Sequence, residues 1–224
     1  MTQPPGTVPM LDVSAAQGVI GWNSVAASGV QAVYVETAIG NDSPNPCRLA
    51  QLAGARAAGL KVGVYSFLYP IGLSGAGRTP EGQAALHMAL DPGGLDLPPV
   101  IDLEWPEPAQ WSRWGCSAQQ IVDWVLAYVL ARGDSPTLYT MPGFMQALGH
   151  PPELARFPLW IAHWGVPEPS VPAPFTDWVA WQHSSTGSVP GIAGNVDLSW
   201  LRVAPSAVST APDLADPDAT IKPA

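Results

Sequence analysis

Eight short apolar runs recur along this chain, at Val8–Asp12, Ala32–Thr37, Lys61–Leu68, Pro99–Glu104, Thr137–Thr140, Pro158–Ala162, Trp178–His183 and Gly194–Leu198, and the character of the spacers changes partway. The early gaps carry helical patterns over Trp22–Ala27, Cys47–Ala58, Thr79–Leu90 and Ser117–Arg132. In the last of these, Ile121, Trp124, Val125, Tyr128 and Val129 fall on one stripe behind Ser117, a residue type that caps helices. Strands alternating with helices predict repeated βα units and a parallel sheet. After Pro158 the spacers are proline-rich, as in Val166–Pro174, and proline denies a packing helix its backbone donors. The pattern predicts an α/β fold, a TIM-like barrel in a single domain over residues 1–202 whose final staves lack helices. From Val203 to Ala224 the chain turns to Ala, Pro, Ser and Asp without periodicity, which predicts a short Ala/Pro-rich C-terminal tail, flexible or docked.

A 224-residue chain that is 47% apolar can bury a full core as one domain. Its net charge of −9 argues against nucleic acid and anionic membrane surfaces, since both demand basic patches. The two cysteines, Cys47 and Cys116, lack metal-knuckle spacing, and a single bridge between them stays open. His87, His150, His163 and His183 form no ligand spacing, so no metal and no cofactor is expected. No run of about 18 apolar residues occurs, so no membrane insertion is expected. Met1 to Met10 carry neither a basic region nor an apolar leader segment, so the chain is expected to be made in the cytoplasm without a signal peptide.

In a barrel of parallel strands, chemistry gathers at the carboxyl ends of the strands, and four acids fall there. In Val100-Ile101-Asp102-Leu103-Glu104-Trp105, Asp102 and Glu104 stand two apart and share one strand face. Like charges that close in an apolar setting split, one carboxyl staying protonated near neutral pH while the other keeps its charge. Glycoside hydrolysis needs that combination: an acid for the leaving oxygen and a carboxylate opposite the oxocarbenium-like centre. Asp12 ends the first strand in Met10-Leu11-Asp12-Val13-Ser14, and Asp197 lies in the last, in Gly194-Asn195-Val196-Asp197-Leu198. First and last staves are neighbours once a barrel closes, which brings both acids beside the pair. Taken singly, Asp12 reads equally well as a helix cap and Asp197 as a turn residue.

Seven strings in order resemble the family 25 glycoside hydrolases, the Chalaropsis-type lysozymes that include many phage endolysins: Leu11-Asp12-Val13-Ser14, Val62-Gly63-Val64-Tyr65-Ser66-Phe67, Ile101-Asp102-Leu103-Glu104, Leu138-Tyr139-Thr140, Leu159-Trp160-Ile161-Ala162, Trp181-Gln182-His183-Ser184 and Val196-Asp197-Leu198. The resemblance covers roughly residues 8–201. It implies a (β/α)5(β)3 barrel and cleavage of the β-1,4 bond between N-acetylmuramic acid and N-acetylglucosamine in peptidoglycan. It makes Glu104 the general acid and Asp102 the charged partner, which either supports an oxazolinium formed by the substrate's own N-acetyl group or positions water. Asp12 and Asp197 would flank the cleaved bond.

Tyr65, Tyr139, Trp160, Trp181 and Gln182 match positions that line the family's cleft. With ten tryptophans in the chain, most aromatics must serve the core, and Tyr65, Tyr139 and Gln182 are the stronger candidates. One departure stands out: the second strand ends in Glu36-Thr37-Ala38-Ile39-Gly40, where many relatives carry a Lys-Ala-Thr-Glu-Gly-like string. A basic residue has become acidic and an acidic one apolar. The implied protein is a monomeric muramidase, a phage endolysin or virion-associated lysin that a holin or a particle brings to the wall. Two other readings stay open. One is a family 25-like barrel that binds glycan or serves in assembly with little turnover. The other is a chitinase-like hydrolase, whose DxxDxDxE signature the residues before Asp102 do not match.

Overall fold

In the computed structural model, which describes residues 2–40, 43–70, 79–104, 107–111 and 116–203, the apolar runs become strands. They are β1 (Thr7–Val13), β2 (Ala32–Ile39), β3 (Ser43–Pro44), β4 (Lys61–Phe67), β5 (Val100–Asp102), β6 (Thr137–Thr140), β7 (Leu159–Ala162), β8 (Ala180–Gly187) and β9 (Val196–Arg202). They pair in the order β1-β9-β8-β7-β6-β5-β4-β2, with β3 as a two-residue edge on β2, and pairing of β1 with β2 closes the barrel. Barrel neighbours are parallel except at β9, which runs antiparallel to both β1 and β8.

Helices α1 (Trp22–Ala27), α2 (Arg48–Ala57), α3 (Pro80–Leu90), α4 (Ala118–Arg132) and α5 (Pro142–Ala147) follow the first five barrel strands, and β7, β8 and β9 complete the (β/α)5(β)3 order. Helix α4 forms where its stripe and cap predict it. The Ser117 hydroxyl accepts from the Gln120 N–H, and the Gln120 side chain accepts from the Ser117 N–H. Gly133, at φ 71°, then ends the helix in the left-handed region that glycine enters freely. Burial of Ile121, Val122, Val125 and Tyr128 against the barrel contributes about 1.5–3 kcal/mol for each large side chain.

Helix α5 departs from the sequence expectation. At six residues it is too short to show a periodic stripe, and Pro142 opens its first turn, where a missing N–H costs nothing. The strand carrying the acid pair stops at Asp102 rather than Glu104. The pairing runs one bond further, because the Leu103 N–H donates to the Tyr139 carbonyl at 2.9 Å, and this preserves the alternation out to Glu104. Trp105 and the expected tail at 204–224 lie outside the described residues. Cys47 and Cys116 are both free thiols, so the bridge left open by the sequence is not formed. Among the described residues no helix is long and apolar enough to cross a membrane.

Alternation sorts the side chains into three apolar layers. Outward residues of β1, β2 and β4 (Leu11, Val33, Val35, Val62, Val64) pack under α1 and α2. Those of β5 to β8 (Ile101, Leu138, Leu159, Ile161, Trp181) pack under α4 and α5. Met10, Tyr34, Val100, Tyr139, Trp160 and Ala180 fill the interior of the barrel. Gly63 is required there: a Cβ on it would lie 2.4 Å from the Tyr34 ring, which spans the barrel and ties its hydroxyl to the Pro98 carbonyl.

Candidate active site

Where the parallel strands run out, their last inward side chains surround a pocket of about 130 Å³ lined by Asp12, Tyr65, Phe67, Val100, Asp102, Glu104, Tyr139, Trp160, Gln182 and Asp197. Closure of the barrel sets Asp12 directly opposite Asp197 in the antiparallel β1–β9 pair. Two facing carboxylates repel unless they share a proton. Here Asp12 carries it: burial, and then the charge of Asp197, hold the Asp12 carboxyl well above the usual carboxylate range, and it hydrogen-bonds Asp197.

Gln182 organises this corner. Its Oε1 accepts from the Tyr139 hydroxyl at 3.0 Å and from the Trp164 Nε1–H at 2.8 Å. An indole nitrogen only donates, so the amide is fixed with its oxygen toward Trp164 and its nitrogen toward Asp12, whose Oδ2 lies 3.1 Å from Nε2.

Across the pocket, Asp102 is 7% exposed, and its buried Oδ1 has no hydrogen-bond partner among the described residues. Burial, followed by the charge of Glu104, raises its pKa well above the usual value. Glu104 is pushed up to about 7, first by burial and then by the charge of Asp197. Burial raises Asp197 too, against the lowering effect of its hydrogen bond with Asp12. The sequence suggested a clean division between one protonated acid and one charged acid. The structure instead raises all four, because each is taken out of water in a pocket whose lining, among the described residues, holds no cation. Tyr65 and Tyr139, buried and faced by these acids, are held well above the usual phenol value and remain neutral donors.

Glu36, the departure in the second strand, also points into the barrel. It is paired across the ladder with Tyr65 and hydrogen-bonds that side chain. Burial lifts its carboxyl to about 7. Ile39, by contrast, sits at the very end of β2.

Of the nine candidate residues, eight line this pocket: Asp12, Tyr65, Asp102, Glu104, Tyr139, Trp160, Gln182 and Asp197. Trp160 is its floor, 2% exposed, with its Nε1–H on Ser199 Oγ at 3.2 Å and its ring edge-on to Tyr139. Trp181 is the exception and corrects the sequence reading. It precedes Gln182 on one strand, so the two must face opposite ways. Gln182 points inward, whereas Trp181 is buried in the outer layer with its indole N–H on the His163 carbonyl. Phe67 and Val100 line the pocket without having been singled out. Each stands two residues from a candidate, Tyr65 or Asp102, and that same-face spacing was the signal available. Among the described residues no group of three His, Cys, Asp or Glu side chains is placed to hold a metal ion.

The sequence model of the glycosyl hydrolases family 25 matches residues 11–192. Lysozyme M1 of Streptomyces globisporus is 31% identical over 84% of this chain and 65% of its own length. The autolytic lysozyme of Clostridium acetobutylicum is 29% identical over 84% of this chain and 54% of its own. The chain therefore spans less than two thirds of either relative. Among solved structures, the bacterial lysozyme from Streptomyces coelicolor superposes with a TM-score of 0.76 at 28% identity, over 90% of this chain and 94% of that one.

Proposed function

Because the chain belongs to the glycosyl hydrolases family 25, we propose that it is a peptidoglycan hydrolase, an N-acetylmuramidase that cuts the β-1,4 bond between N-acetylmuramic acid and N-acetylglucosamine. The observation that carries this reading is the convergence of Asp12, Asp102, Glu104 and Asp197 on one pocket at the carboxyl ends of the strands. Glu104, half-protonated near pH 7, gives its proton to the leaving glycosidic oxygen. As that bond breaks, positive charge grows on the sugar, and Oδ1 of Asp102, which has no hydrogen-bond partner among the described residues, is where it is met. Asp102 acts in its carboxylate form, and the charge growing on the sugar offsets the cost of ionising that carboxyl in the buried pocket, so the pairing is strongest as the transition state forms. The Asp12–Asp197 pair and Gln182 hold the opposite wall, and Tyr65 and Tyr139 offer hydroxyls to the sugar.

The test is release of reducing sugar from purified peptidoglycan, with mass spectrometry of the new ends, for the native chain and for Glu104→Gln. N-acetylmuramic acid reducing ends that disappear in the variant support the reading. A folded native chain that releases nothing from several wall types overturns it. That outcome favours the second reading, a glycan-binding or assembly barrel, for which the specific observation is the carboxyl of Glu36 set on the barrel wall in electrostatic contact with Asp102. Action as a phage endolysin or virion-associated lysin, as a monomer, is the finer part of the proposal. Lysis of cells on expression only when a holin is supplied would support it.

A further inference from the structure

Trp164 stands two residues beyond the end of β7, at the mouth of the barrel, and is 46% exposed. It is the one aromatic among the described large apolar side chains that are exposed; Trp22, Trp124, Trp160, Trp178 and Trp181 are all buried. Exposing an indole forgoes a large burial gain, so its position needs a reason. The ring cannot swing freely, because its Nε1–H is held on Gln182 Oε1 at 2.8 Å, and Gln182 is fixed in turn by Tyr139 and Asp12. A hollow lies on each side of it. One, of about 280 Å³, is apolar, lined by Met141, Pro142, Gly143 and Ala162. The other, of about 530 Å³, is edged by His183 and the hydroxyl side chains of Ser184, Ser185 and Thr186. A rigid aromatic face with an apolar recess on one flank and hydroxyls on the other matches an N-acetylated pyranose: C–H groups on the ring face, an acetamido methyl, and several hydroxyls.

We infer that Trp164 is the platform of a further glycan subsite, in which an N-acetylhexosamine ring beyond the two that flank the cleaved bond stacks on the indole, directs its acetamido arm toward Met141 and Pro142, and meets Ser184, Ser185 and Thr186 with its hydroxyls. This rests on the muramidase reading and extends it: the enzyme selects glycan strands long enough to reach Trp164, and the pinned indole means little ordering is left to be done on binding.

The experiment is steady-state cleavage of soluble peptidoglycan glycan fragments of increasing length by the native chain, Trp164→Ala and Trp164→Phe, with folding checked by circular dichroism. For Trp164→Ala, KM should rise roughly tenfold more on the longer fragments than on the shortest, a difference of about 1.4 kcal/mol, while any change in kcat from the lost Gln182 contact is the same at every length and is shared by Trp164→Phe. Trp164→Phe keeps an aromatic face and should reverse most of the KM rise. Equal kinetics for Trp164→Ala and the native chain at every length overturns the subsite while leaving the muramidase reading intact. So does a fall in kcat at unchanged KM, which would mean that Trp164 acts only by holding Gln182. A native chain that neither binds nor cleaves any fragment overturns both. If Trp164→Ala does not fold, Trp164→Phe against Ser184→Ala on the same length series decides, because the subsite requires a length-dependent KM change in the latter.

Discussion

At the scale of single residues, the pocket behaves as a store of protons rather than as a pair of opposed acids. Glu104 is raised to about 7 partly by the charge of Asp197. Neutralising that charge lowers the pKa of Glu104, so the acid form is lost at a lower pH. Asp197→Asn is therefore expected to move the basic limb of kcat/KM on peptidoglycan downward from about 7, measured as a full pH profile. Glu104→Gln should lower kcat by roughly 10²–10⁴, the usual scale for a lost general acid, with the circular dichroism spectrum unchanged. A residual rate close to native would remove Glu104 from the acid role. The identity of these acids was legible in the sequence because strand ends and two-residue spacing are local. Their shared proton economy was not, since it depends on Asp12 lying opposite Asp197 across a seam nearly the whole chain apart.

At the scale of elements, local pattern succeeded where an element carried its own signals. Helix α4 announced itself through Ser117, its apolar stripe and Gly133, whereas α5, six residues long, had only a proline at its start. Trp181 was misplaced because a string of residues was read as a unit, although alternation along β8 forbids neighbours from sharing a pocket. Trp164 was missed because exposure belongs to tertiary structure; an aromatic just past a strand end was the only hint. The same contest between local and tertiary terms fixes the sign of a substitution in α2. Gly54→Ala removes a poor helix former and should stabilise an isolated helix by about 1 kcal/mol. In this protein the new Cβ would lie 2.2 Å from Cδ1 of the buried Trp22, so the ring or the helix must shift. Overpacking of that kind costs about 1–3 kcal/mol, and urea unfolding should find the variant less stable than the native chain. A more stable variant would mean that Trp22 moves aside freely.

At the scale of the whole molecule, the same raised carboxyls make stability depend on pH. Glu36 and Glu104 have folded pKa values of about 7, above their ordinary value of 4.5, so the native state holds more protons than the unfolded chain through that window. Their contribution is fully present below pH 4.5 and is lost as pH rises through 7. His87 opposes this: buried between the Tyr128 hydroxyl and the Gly40 carbonyl, it falls to about 4 from 6.5, and its contribution grows with pH over that range. Burial lowers His183 as well, but Glu36 and Glu104, joined by Asp12, Asp102 and Asp197, outnumber the two imidazoles. Melting temperature in the absence of glycan is therefore expected to fall between pH 5 and 8. Glu36→Gln combined with Glu104→Gln should flatten the slope, and a slope unchanged in that double variant would place the protons elsewhere. The reversed direction of β9 has a different consequence. It pairs Arg202 with Thr7, and the Val203 N–H returns to the Gly6 carbonyl, so both ends of the barrel chain leave from the rim farthest from the acids. Anchored to a bead or a particle through either end, the molecule would hold its mouth outward and meet a crosslinked wall face-on, with its tether out of the path of the strand being cut.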